Sequence, residues 1–157
     1  MGRGPGRLDL AAPLDLAAVR AADHDALYLP GGHAPMTDLA DDARLGVLLA
    51  DADGRGQVVA ALCHGVAGLL SATKEDGAFV FAGRSLTGFT DEEENQGELG
   101  DQAPWPVESR LAERGAGVRT GAAWCDTVIV DGNLITGQNP QSSVTTAKQV
   151  LTALPDA

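Results

Sequence analysis

The chain has 157 residues, 44% of them apolar, enough for one domain with a hydrophobic core and short for two. Twenty-two acidic residues against 11 Lys and Arg give a net charge of −11, a surface that repels nucleic acid and anionic lipid alike. No apolar run approaches the roughly 18 residues of a membrane span, no signal-peptide pattern opens the chain, and two distant cysteines make no disulfide framework. A reduced, soluble, cytoplasmic protein is expected, with no nucleic-acid or membrane partner.

In chain order, residues 1–10 are Gly-rich and expected to be disordered. "PLDLAAVRAA" (Pro13–Ala22) predicts a short helix, and "DALYLPGGH" (Asp25–His33) a strand stopped by Pro-Gly-Gly. "MTDLADDARLGVLLADAD" reads as one helix capped by Asp38, with Leu39, Ala43, Val47 and Ala50 along its buried face. "GQVVAALC" does not alternate, so it predicts a strand buried on both faces, and "HGVAGLLSA" after it has helical spacing. "GRSLTGFTDEEE" suggests a strand of roughly five residues leading into an acidic turn or helix start. "PWPVESRLAERGAG" is a helix opened by Pro106 and closed by Gly115. "DTVIVDGNLITGQNP" predicts a hairpin turning at Asp131-Gly132, and "PQSSVTTAKQVLTAL" a closing helix. Strands alternating with helices imply an α/β domain with a mostly parallel sheet. Residues 25–157 form that domain and 1–24 a short N-terminal segment.

Three blocks carry chemistry. At Cys63-His64-Gly65 a buried strand gives way to a helix, placing Cys63 on a sharp turn at the carboxyl edge of the sheet, where open α/β sheets bind ligands. The helix N-terminus is expected to lower the thiol pKa. The plainer alternative is a small hydrophobe ending a core strand. In "LPGGH", Gly31 and Gly32 can turn backbone N–H groups toward a developing oxyanion, although Pro-Gly-Gly is also an ordinary tight turn. His33 reads as a solvated loop histidine. The four acids Asp91–Glu94 are a normal helix start, but one of them reaching His64 would set its tautomer, and the pattern alone does not choose which. Cys125, Trp105 and Trp124 read as core. No CxxC or HxH spacing points to zinc, and no glycine stretch has a nucleotide-binding fingerprint.

Together, "DALYLPGGHAPMTDL", "VVAALCHGVAGLL", "LTGFTDEEE" and "LITGQNPQSS" resemble the ThiJ/PfpI superfamily, and more narrowly its heat-shock chaperone and glyoxalase III branch. The resemblance implies a flavodoxin-like, three-layer fold related to type 1 glutamine amidotransferase domains, usually dimeric. It implies Cys63 as nucleophile, His64 as base, Glu94 as the acid orienting the histidine, and Gly31 and Gly32 at the oxyanion site. The implied activity is glutathione-independent conversion of methylglyoxal to D-lactate, a D-lactate dehydratase reaction needing no metal or organic cofactor. One departure stands out. Members begin with further βα units that supply a glutamate to the nucleophilic thiol. Here about two dozen residues precede "DALYLPGG", too few for those units, and the first glutamate is Glu75. An N-terminally truncated member is therefore expected, with a catalytically impaired chaperone or a thiol redox sensor as the alternative to an enzyme.

Overall fold

The computed structural model describes residues 12–97 and 103–154; the expected disorder of residues 1–10 lies outside them. Four strands form the main sheet in the spatial order β1 (Ala26–Leu29), β2 (Val58–Leu62), β6 (Leu134–Gly137), β5 (Val128–Asp131). Strand β1 runs parallel to β2, and β2 parallel to β6, while β5 closes one edge antiparallel to β6. All five residues of β2 are buried, as its unbroken apolar run predicts. The β5–β6 hairpin turns through Gly132-Asn133, with Gly132 at φ +58° in the left-handed region a two-residue turn demands. A second, two-stranded parallel sheet joins β3 (Ser85–Leu86) to β4 (Gly117–Val118). It is shorter than the five-residue strand the sequence suggests, because the Thr87 N–H leaves the ladder and donates to Thr136 Oγ1 at 2.9 Å.

Helices cover both faces of the main sheet. Helices α1 (Pro35–Asp38), α2 (Ala43–Gly54) and α4 (Val107–Glu113), with a nine-residue 3-10 helix over Cys63–Ser71, bury the larger core. Helix α5 (Ser143–Ala153) covers the other face, where Val150 and Leu154 meet Val58, Ala60 and Ile135. The result is a three-layer α/β fold with an open, mostly parallel sheet.

Three local expectations change. The helix expected over Pro13–Ala22 is two 3-10 turns, Leu16–Ala18 and Ala21–Asp23, separated by extended backbone at Val19 and Arg20. The long helix expected from Asp38 is split at Leu39–Asp42. Asp42 rather than Asp38 caps α2, accepting from the Arg44 N–H at 2.8 Å and the Leu45 N–H at 3.3 Å. Its buried face is Leu45, Leu48, Leu49 and Ala52, and Val47 points outward, 72% exposed. The stripe at i, i+3, i+4 and i+7 that carries the leucines buries more apolar area than the expected stripe, in which two of the four residues are alanine.

Candidate active site

The carboxyl ends of β1 and β2 build the site. Residue Cys63 follows β2 with φ +56°, a left-handed conformation that costs a non-glycine residue on the order of 1–3 kcal/mol and breaks the strand sharply. The 3-10 helix starts at once. This turn is possible because residue 65 is glycine. A Cβ there would lie 2.4 Å from the Leu29 carbonyl oxygen and 2.5 Å from that of Pro30, so the elbow rests directly on the end of β1. Gly65→Ala is expected to cost several kcal/mol, in the range of core overpacking or beyond, and a denaturant midpoint unchanged from wild type would contradict this contact. The loop after β1 returns the contact: a Cβ on Gly31 would approach Cys63 Cβ to 3.0 Å, and Gly32 has φ +98°. The backbone N–H groups of Gly32 and His64 lie close enough to the Cys63 sulfur to favour its charged form.

The structure brings Cys63, His64 and Glu94 into one line. Cys63 Sγ lies 3.3 Å from His64 Nδ1, and His64 Nε2 lies 2.7 Å from Glu94 Oε2. The Glu94 carboxylate accepts the Nε2 proton, which leaves Nδ1 as the acceptor facing the thiol. His64 is buried, with Phe89 tilted against its ring at 4.4 Å. On its other side is His33, the histidine the sequence assigns to solvent. The two rings are tilted by 34° with centroids 4.0 Å apart, and His33 Nε2 lies 3.3 Å from Glu94 Oε1. One carboxylate thus serves two imidazoles. The signal was the strand end itself: the turn that places Gly31 and Gly32 against Cys63 carries the next residue into the same cleft.

Glu94 is placed by its neighbour. Helix α3 (Asp91–Gln96) opens with a capping box: Glu93 N–H donates to Thr90 Oγ1 and Thr90 N–H to Glu93 Oε2, both at 3.0 Å. The other Glu93 oxygen accepts from the Trp124 N–H at 2.7 Å, Asn139 Nδ2 at 2.7 Å and Gln138 Nε2 at 3.1 Å. So "QNP", which the sequence shows only as the entry to the last helix, also clamps the helix that carries Glu94.

Electrostatics overturn one expectation. Burial pushes the Cys63 thiol up to about 11; the His64 and Gly32 N–H groups pull it down by less, and Glu93 and Glu94 oppose them. The resting group is a thiol, not the thiolate expected from the helix terminus. Burial also lowers the His64 pKa against the opposing pull of the Glu94 hydrogen bond, so the imidazole rests neutral near pH 7. A protonated thiol beside a neutral imidazole is the resting state of a general-base pair.

The DJ-1/PfpI family pattern matches residues 5–153. The chain belongs to the DJ-1/PfpI family. It is 32% identical over 141 residues to the human glutamine amidotransferase-like class 1 domain-containing protein 1, covering 90% of this chain and 64% of that one. It is 32% identical over 144 residues to the glutathione-independent glyoxalase HSP31 of Saccharomyces cerevisiae, covering 87% of this chain and 60% of that one. The crystal structure of glyoxalase III from Candida albicans superposes with a TM-score of 0.80 at 27% identity, over 89% of this chain and 61% of that one. The chain therefore spans less than two thirds of the length of these relatives, and a glyoxalase-type function occurs within the family.

Two residues of this DJ-1/PfpI domain depart from their expected core positions. Cys125 is exposed. Trp124, 37% exposed at φ +62°, donates Nε1–H to Gln96 Oε1 at 2.7 Å and meets Phe89, the ring packed on His64, edge-on at 5.5 Å. Trp105 is half-buried under the Arg110 guanidinium, 4.9 Å from the ring centre, and helps line a cavity of about 290 Å³ beside Glu94. A larger groove of about 720 Å³, between α2 and the 3-10 turns, contains none of these residues. With one sulfur exposed and the other buried with a raised pKa, iodoacetamide at pH 7.5 is expected to alkylate Cys125 well before Cys63, read by peptide mass spectrometry. Among the described residues, no helix is long and apolar enough to cross a membrane.

Proposed function

We propose that the chain is a glutathione-independent glyoxalase, converting methylglyoxal to D-lactate. The line Cys63 Sγ–His64 Nδ1, His64 Nε2–Glu94 Oε2 carries this reading, at 3.3 and 2.7 Å. The Cys63 sulfur attacks the aldehyde carbon as its proton passes to His64 Nδ1, and the carbonyl oxygen takes up the resulting negative charge near the N–H groups of Gly32 and His64. Protonation of that oxygen by His64 gives a hemithioacetal. His64, neutral again, takes the proton from the same carbon and passes it to the neighbouring carbonyl oxygen, giving an enediol; it then takes the proton of the hydroxyl on the sulfur-bearing carbon and delivers it to the adjacent carbon. This internal redox step leaves a thioester of lactate on Cys63. Water adds to it, the C–S bond breaks, and lactate and the thiol are released. Every step balances with one water as co-reactant, and the residues named supply the proton carriers. Glu94 keeps the imidazole in the required tautomer and stabilises its charged form.

The resemblance and the yeast relatives support this reading, which also takes the chain to act as a homodimer. A redox sensor built on Cys63 is the weaker alternative, because oxidation follows thiolate character and exposure and Cys63 has little of either. Purified protein given methylglyoxal without glutathione is expected to form D-lactate, assayed with a stereospecific lactate dehydrogenase. Loss of methylglyoxal without lactate, or racemic lactate, would overturn the proposal.

A further inference from the structure

His33, His64 and Glu94 come from three separate segments, and their donor atoms lie within 4.8 Å of one another. Two imidazoles and a carboxylate, His33 partly exposed and the other two buried, are a ligand set suited to zinc-class divalent cations. The geometry points to a second use of this cluster: it binds a zinc-class ion through His33 Nε2, His64 Nε2 and a Glu94 oxygen, and the bound ion blocks the thiol chemistry.

A tetrahedral zinc ion with ligands at about 2.0–2.1 Å places donor atoms about 3.3 Å apart. His33 Nε2 and Glu94 Oε1 already have that separation. His64 Nε2 and Glu94 Oε2, at 2.7 Å, must open by roughly half an ångström, a side-chain adjustment. Both histidines present Nε2 to the same carboxylate. The His33 side chain is 37% exposed, so an ion has a route from solvent. Cys63 is not among the donors, because its sulfur sits at Nδ1, on the far side of the His64 ring. A metal at Nε2 displaces the Nε2 proton, takes Glu94 from the imidazole and makes Nδ1 a poor proton acceptor. The site is therefore inhibitory.

Although the ion shares two residues with the proposed glyoxalase, its binding does not require turnover. The test uses the full chain carrying Cys125→Ser, stripped with chelator and titrated with zinc against a chromophoric chelator. One equivalent is expected to bind and to survive Cys63→Ala. His33→Ala, or His33→Gln should the alanine variant not fold, is expected to weaken binding beyond the ~10–100-fold that changes outside a ligand shell cause. No stoichiometric binding, binding unaffected by both His33 variants, or binding lost with Cys63 would overturn the proposal. Where the chain forms lactate, zinc is expected to stop it and chelator to restore it. A chain that binds zinc as predicted but makes no lactate refutes the glyoxalase reading and leaves this site standing.

Discussion

Replacing Cys63 with alanine is expected to lower lactate formation by about 10³-fold or more, the scale of losing the nucleophile from a residue set that acts as a unit. The fold should survive. Alanine and cysteine both carry a Cβ, so the strain at φ +56° is unchanged, and only one sulfur leaves a position already 6% exposed. A melting temperature close to wild type with no lactate is the expected pair of results; equal lactate from the variant would end the covalent mechanism.

Glu94→Gln separates orientation from charge. The amide oxygen can still accept from His64 Nε2, so the ring stays in place, but the imidazolium formed during attack loses its partner. Activity is expected to fall by roughly 10²–10⁴-fold. The pH profile gives a second readout. Because burial holds the His64 pKa below the ordinary imidazole range, the acid limb of kcat/KM should lie below about 6.5. The Glu94 carboxylate raises that pKa through its hydrogen bond and its charge, so replacing it with a neutral amide should move the limb further toward acid. A limb that moves toward alkali would mean that the titrating group is not this histidine.

What the sequence makes legible here is what local physics decides. The unbroken apolar run of Val58–Leu62 requires a central strand, which appears as read, and Asp131-Gly132 between two β-branched stretches requires a tight hairpin, which forms with its turn one residue on, at Gly132-Asn133. Cys63 and His64 are adjacent, so their juncture between strand and helix was visible too. Legibility ends where tertiary contacts choose among local equals. Asp38 and Asp42 are equally good caps until Leu39–Asp42 is seen to break the helix. Within the acidic run, only the capping box at Thr90 fixes the rotation of α3, sending Glu93 inward to "QNP" and Glu94 to His64. His33 looked solvated because its partner is 61 residues away. The thiol pKa departs from its sequence expectation for a related reason. The helix terminus is local and readable, whereas the burial that outweighs it comes from the whole surrounding fold.

Glu93→Ala is expected to be the most destabilising substitution near the site outside the glycines. Its carboxylate is fully buried and accepts from two backbone N–H groups beyond its own helix turn or at its cap, and from two side-chain amides. Truncation strands these donors without water, and at about 1–3 kcal/mol for each unsatisfied buried group, partly relaxed, the loss should be about 3–5 kcal/mol. For a domain of this size that lowers the melting temperature by roughly 10 °C. Burial pushes the Glu93 pKa up, but the hydrogen bonds from Thr90, Asn139, Trp124 and Gln138 together outweigh it and hold the group below the usual carboxylate range. A depressed folded pKa means stability that is complete above the unfolded carboxylate value near 4.3 and is lost as pH falls through the folded value. Glu93→Gln cannot titrate, and its NH2 must face one of the N–H donors, so it should be less stable than wild type at pH 7 by about 1–3 kcal/mol. That deficit should shrink as pH falls below 4. A deficit that stays constant down to pH 3 in denaturant titrations would show that Glu93 is not held as a carboxylate, and that α3, with Glu94 on it, is positioned by something other than this clamp.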